Sequence, residues 1–183
     1  MKKYLALPIL FFSSFLYSQT TLKFNGASAL VGVPNIGFET SIGEKTTFQL
    51  DALASFWESV NDKPYKVFII TPEVRYHFKE KFNGFYLGAN VSGGTFKLQK
   101  YGYEGTGRYQ KGYNVIFGLT AGYQWILNEK WGVDIFIGGG HQEAIYKGYE
   151  ANGDRYDTWI HEWNKSGEMV LYRGGVMITY KIK

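Results

Sequence analysis

The chain has 183 residues, with 20 Lys+Arg against 16 Asp+Glu, 23 Gly, 4 Pro and no Cys. Aromatic residues make up 19% and charged residues 20%, a balance that excludes intrinsic disorder, collagen and coiled coil. Zero cysteine excludes a disulfide scaffold, a Cys-based zinc site, a thiol nucleophile and a lipid-modified N-terminal Cys, and a mean hydropathy of −0.23 is too polar for a helical membrane bundle.

Residues 1–18 open with Lys2-Lys3, continue as an apolar run from Tyr4 to Tyr17 and end on a small residue. A basic start, a short apolar stretch and a small residue before the cut predict a secretory signal peptide, cleaved near Ser18–Gln19. The competing reading, an N-terminal anchor, needs a longer run than this one, which Pro8 interrupts. Residues 19–183 are then one domain. Losing Lys2 and Lys3 leaves that domain near +2. With no basic stripe interleaved with aromatics, no nucleic-acid partner is expected.

From there the period is two. In 67–78, Phe68, Ile70, Val74, Tyr76 and Phe78 share one face, and Glu73, Arg75 and His77 the other. Phe85, Leu87, Ala89 and Val91 alternate with Tyr86, Gly88, Asn90 and Ser92; later runs repeat the pattern. Such alternation predicts strands with one face in apolar surroundings. The expected spans are 21–31, 35–43, 46–57, 66–79, 84–98, 112–127, 131–144 and 168–182, most of them long enough to cross a bilayer when tilted. Pro72 inside the fourth strand predicts a bulge.

The connections alternate between short polar turns (43–45, 79–83, 128–130) and longer links (58–65, 99–111, 145–167). That is the layout of an all-β, antiparallel, eight-stranded outer-membrane barrel with both termini on the periplasmic side. Phe78, Phe85, Tyr123, Trp125, Trp131 and Tyr180 fall near the short-turn ends. Tyr113, Tyr146, Tyr172 and Trp57 fall near the long-link ends, as two aromatic belts require. The terminal strand carries Arg173, Gly175, Ile178 and Tyr180 in a pattern similar to the signal read by the outer-membrane insertion machinery.

The stretch Thr71-Pro72-Glu73-Val74-Arg75-Tyr76-His77-Phe78, followed by Gly84-Phe85-Tyr86-Leu87-Gly88 and by a glycine-rich strand from Gly118 to Tyr123, resembles an uncharacterised family of small outer-membrane barrels, a domain of unknown function. His77 stands where that family more usually has Trp. The resemblance spans about residues 25–145 and implies an exported outer-membrane barrel. It implies no activity and no catalytic residues.

With apolar residues facing lipid, the inner face holds Glu39, Asp51, Glu73, Arg75, Asp134 and Arg173, joined by Lys23 and His77. Charges of both signs in a narrow barrel must pair, so the expected interior is a plug held by salt bridges. A narrow or gated pore is the alternative, with inward glycines (Gly88, Gly94, Gly118, Gly122, Gly138, Gly140) leaving space or making room for Tyr86 and Phe136.

No catalytic set emerges. A lipid A-modifying barrel would need a serine activated by a histidine and oriented by a carboxylate. His141 with Glu143 has only Ser166 and Ser92 as candidate nucleophiles, and neither is at a supporting spacing. The acidic loop of Glu150, Asn152, Asp154 and Asp157 lacks a calcium-hand spacing, and Gly102 to Gly107 lacks a phosphate-loop order, so no metal or cofactor is expected. Gly102-Tyr103-Glu104 with Gly107-Arg108-Tyr109 is echoed by Gly148-Tyr149-Glu150 with Gly153-Asp154-Arg155-Tyr156. This echo is either two similar hairpin extensions or a paired recognition surface of Tyr103, Arg108, Tyr109, Tyr149, Arg155, Tyr156 and Trp159, extended by Tyr101 and Trp163. The expected role is structural or surface-interacting, non-enzymatic, with outer-membrane lipid and lipopolysaccharide as surroundings. A soluble lipocalin-like barrel with its apolar face inward is the other alternative.

Overall fold

The period-two pattern becomes eight strands. A computed structural model describes residues 19–60, 63–100, 102–103, 105–157, 159 and 162–182. The strands are β1 (Thr20–Asn25), β2 (Asn35–Ser41), β3 (Thr46–Val60), β4 (Lys63–His77), β5 (Gly84–Leu98), β6 (Tyr109–Ile126), β7 (Trp131–Tyr149) and β8 (Asn164–Lys181); one short helix, α1 (Gly26–Leu30), separates β1 from β2. Each strand pairs antiparallel with the next. β8 returns to β1, from Thr21↔Lys181 to Asn25↔Met177, and the single sheet closes on itself. The expected leader at 1–18, together with Tyr101, Glu104 and His161, lies outside the described residues.

Several boundaries differ from the alternation, each for a local reason. The first strand stops at Asn25, whose side chain accepts a bond from the Ser28 amide at 3.2 Å and caps α1. The link expected at 58–65 is a hairpin, because β3 and β4 stay paired out to Val60↔Lys63. β6 and β7 likewise run on to Tyr109↔Tyr149. Their outward Lys111 and Lys147 break the apolar alternation without breaking the ladder. At Pro72 there is no bulge. Pairing to β3 keeps its register through Leu50↔Pro72, while pairs to β5 lapse between Ile70↔Gly93 and Glu73↔Asn90 with the register unchanged. A residue without an N–H leaves such a gap, and Thr71 Oγ1 and Ser92 Oγ bridge it at 2.9 Å.

The barrel is polar inside and apolar outside. Among the described residues, eight hydrophobic and 23 polar or charged residues are buried, the reverse of a water-soluble core. On β5, Phe85, Leu87 and Val91 are exposed, while Tyr86, Asn90 and Ser92 are buried. Near the short turns the outward aromatics touch in pairs: Phe78–Phe85 at 5.4 Å, Tyr123–Trp125 at 4.4 Å and Trp131–Tyr180 at 4.8 Å between ring centres. At the other end Tyr113 and Trp57 are exposed, but Tyr146 and Tyr172 line the interior. Tyr172 turns inward because β8 bulges there: Gly138 faces Arg173, and the next residue, Gly139, faces Leu171. The extra residue re-aims a side chain, as bulges do.

Candidate functional site

The turn-side half of the interior is filled by one ionic network. Lys23 of β1 binds Glu39 of β2 and reaches Asp134 of β7 at 2.7 Å. Arg75 of β4 holds Glu73 at 2.5 Å and Asp134 at 2.8 Å. Arg173 of β8 binds Glu73 and reaches Asp51 of β3 at 2.6 Å. Every inner-face ion named from the sequence therefore joins the same cluster. The side chains of Lys23, Glu39, Arg75 and Asp134 have no solvent exposure. His77 Nε2 stands 3.3 Å from Glu39 and 3.1 Å from Thr47. Neutral donors add to the network: Gln124 donates to Glu39 at 2.8 Å, Tyr86 to Asp134 at 2.9 Å, Thr120 to Glu73 at 3.0 Å and Gln49 to Asp51 at 2.8 Å. Arg75 also lies over the Tyr86 ring at 4.4 Å. Buried charges persist only when paired and hydrogen-bonded in this way.

Space for these groups comes from glycine. A Cβ at Gly122 would sit 2.5 Å from the Tyr86 hydroxyl, and one at Gly88 would sit 2.5 Å from Glu73 Oε1. Below the network, Phe82 is buried within a turn that reads as polar and packs 6.3 Å from the His77 ring. Its φ of +62° is a strained conformation for a non-glycine residue. The strand alternation gives no hint of it. The one available signal is an aromatic in an otherwise charged turn.

The loop-side half is hollow. A cavity of about 340 Å³ is lined by Val67, Ile69, Phe96 and Ile116 on one hand and by Gln110, Asn114 and Gln142 on the other. Tyr172 lines it too, and bonds Ser92 at 2.8 Å and Asn90 at 2.5 Å. Lys100 and Glu168 also belong to the lining. Apolar walls with a few convergent polar groups are the makeup of small-ligand pockets, and this volume lies at the small end of their range.

The two echoing segments meet at the same end of the barrel. Arg108 grips Glu150 with two nitrogens at 2.8 and 3.0 Å and stands 5.0 Å from the centre of the Tyr156 ring. Tyr156 packs 6.0 Å from Tyr103, and Tyr109 stacks on Tyr149 at 5.3 Å. Asp157 anchors the second segment. It accepts from the Gly148 amide at 2.8 Å, Arg155 Nε at 2.8 Å and Asn164 at 2.5 Å. Burial alone would raise its pKa, but the bonds from Arg155, Gly148 and Asn164 outweigh it and hold the carboxyl below the ordinary range. Six of the seven loop residues named from the sequence are thus engaged with each other or with this carboxylate. Trp159 stands apart, 79% exposed.

The groups considered for catalysis are separated. His141 and Glu143 bond each other at 2.7 Å, both of them exposed, on the outward positions of β7. Ser166 lines the inner cavity, and Ser92 is buried and bonded to Thr71 and Tyr172.

A closed antiparallel barrel with a polar interior is the class to which this fold belongs. A family model described as "Protein of unknown function (DUF3575)" matches residues 4–182, and the chain belongs to that family. No curated protein matches it.

Proposed function

We propose that the chain is an exported outer-membrane barrel with a structural or surface-interaction role, blocked to passage by its ionic plug and presenting its loop-side cavity and segments to the outside. The observation that carries this is the inverted polarity: ions of both signs are sealed inside while Phe, Leu, Val and Trp cover the wall. A lipocalin-like binder would need the opposite arrangement. Strands of 15 to 19 residues make up β3 to β8, more than the roughly 9–11 that a tilted membrane strand requires. In this placement residues 1–18 direct export, β8 presents the insertion signal, and the short turns face the periplasm with both termini.

Heat-modifiable gel mobility in a purified outer-membrane fraction tests the placement. The expected result is a compact unboiled species that shifts on boiling. Free periplasmic protein with no shift would refute it. In planar bilayers the inserted protein is expected to show no steady conductance, since the plug spans the bore; open-channel currents would argue for the pore instead.

A further inference from the structure

On the outer wall four lysines stand in one ladder row. Lys66 of β4 pairs with Lys97 of β5, Lys97 with Lys111 of β6, and Lys111 with Lys147 of β7. Three strand spacings of ~4.8 Å put the row's ends about 14 Å apart. Like charges directly opposite each other destabilise a sheet, so the row needs an explanation. Lys66 has a carboxylate, Glu58, at 2.6 Å; among the described residues Lys97, Lys111 and Lys147 have none within ion-pair distance. Lys97 lies over the Tyr109 ring at 4.3 Å and Lys147 over the Trp163 ring at 4.6 Å. These rings orient the ammonium groups without cancelling their charge.

The wall turns apolar one row nearer the short turns, where Phe68, Thr95, Tyr113 and Ile145 pair in sequence. A groove of about 530 Å³ joins the two rows, lined by all four lysines together with Phe56, Phe68, Tyr113 and Trp163. Its height also fits. On β6, about 12 residues separate Lys111 from Tyr123 of the turn-side aromatic belt. At ~3.4 Å per residue and a tilt of ~40°, that is about 30 Å, just beyond an apolar band of about 25 Å.

We propose that this groove binds the phosphorylated headgroup of an outer-leaflet lipid, phosphates on the lysine row and an acyl chain along the apolar row beneath it. The site rests on the outer-membrane placement above and deepens it. Charge complementarity selects the headgroup. The adjoining aromatic floor selects a lipid over a soluble anion.

The test uses the protein refolded into neutral-lipid nanodiscs and titrated with bis-phosphorylated lipid A, with dephosphorylated lipid A or with inorganic phosphate, read by native mass spectrometry. The expected result is saturable binding of the phosphorylated lipid only. It should weaken about 100-fold in K97Q/K111Q/K147Q and stay unchanged in the turn-side control K45Q/K79Q/K130Q. In neutral detergent the triple lysine variant should melt at or above the wild-type temperature, because repulsion has been removed, which separates lost binding from lost folding. Equal binding by wild type and triple variant, equal binding of the dephosphorylated lipid, or occupancy by inorganic phosphate would overturn the proposal. Failure in a heat-modifiable, inserted barrel refutes the lysine site alone. A protein with no heat-modifiable species refutes the membrane placement, and the site with it.

Discussion

The two halves of the barrel bore are built from opposite materials. Toward the short turns, Lys23, Glu39, Asp51, Glu73, Arg75, Asp134 and Arg173 fill the space and bond one another. Toward the loops, Ile69, Phe96 and Ile116 line an open volume of about 340 Å³. β3 to β8 run through both halves, whereas β1 and β2 contribute to the plug and stop short of the loop side, so the hollow half is walled by the six long strands and the segment after α1. A network of interlocked buried ions tolerates almost no change in shape or charge. An apolar cup with amides at its edge tolerates a good deal. The first suits a fixed plug, the second a surface that receives something.

The largest effect should come from the plug. Arg75→Met leaves Glu73, Glu39 and Asp134 facing each other with one cation fewer, and breaking a buried pair costs about 3–5 kcal/mol. Urea unfolding in detergent should show that loss. A change below about 1 kcal/mol would mean water enters the plug and screens it. Gly122→Ala should cost less, about 1–3 kcal/mol, through the clash of its Cβ with the Tyr86 ring, and the Tyr86–Asp134 bond should weaken with it.

Much of the plug is legible in the amino-acid sequence, and the cup is not. Glu73 and Arg75 announce themselves because an ion at every second position of an otherwise apolar strand has only the interior to face. The cup is made of Ile69, Phe96, Ile116 and Gln142 from four strands, and no local pattern says that they converge. The lysine row is hidden for the same reason: Lys66 and Lys97 read as polar strand ends, Lys111 and Lys147 as parts of the long links, and only the inter-strand register aligns all four. Alternation puts Tyr172 on the wrong face because one bulged residue inverts parity, as it must where the side-chain period is two. Phe82 is masked by its charged turn. The echo between 102–109 and 148–156 is visible in the sequence, but its use of Arg108 to clamp Glu150 depends on how the hairpins fold back.

The loop segments fall between the two halves in expected sensitivity. Asp157→Ala removes the shared acceptor of three hydrogen bonds, and because the freed donors at this loop can turn to water the net loss is about 1–2 kcal/mol in all. Most of that loss should appear as local opening, read as faster proteolysis within 150–163 with the barrel intact. The pH dependence has a fixed sign. The folded carboxyl titrates below its unfolded value, so its contribution is complete above about pH 5 and is lost as pH falls below the ordinary aspartate value of ~3.9. Proteolysis of the segment should therefore rise on acidification in wild type and stay flat in the variant. A wild-type profile that is flat as well would deny Asp157 its anchoring role.

The smallest expected effect is the most informative about the comparison. Ala144 is buried on the wall of the cup, among the residues that line the empty volume. Enlarging a side chain in a close-packed interior usually costs about 1–3 kcal/mol. Ala144→Leu should cost less than about 0.5 kcal/mol, because the added carbons enter space that is already open and gain contacts there. The same increase in bulk beside the plug, at Gly88 or Gly122, has no such space to enter. Urea midpoints for A144L and G122A in one detergent would set the two halves side by side. A large loss in A144L would show that the loop-side cavity closes in solution, so that both ends of the bore are packed and the cup holds nothing.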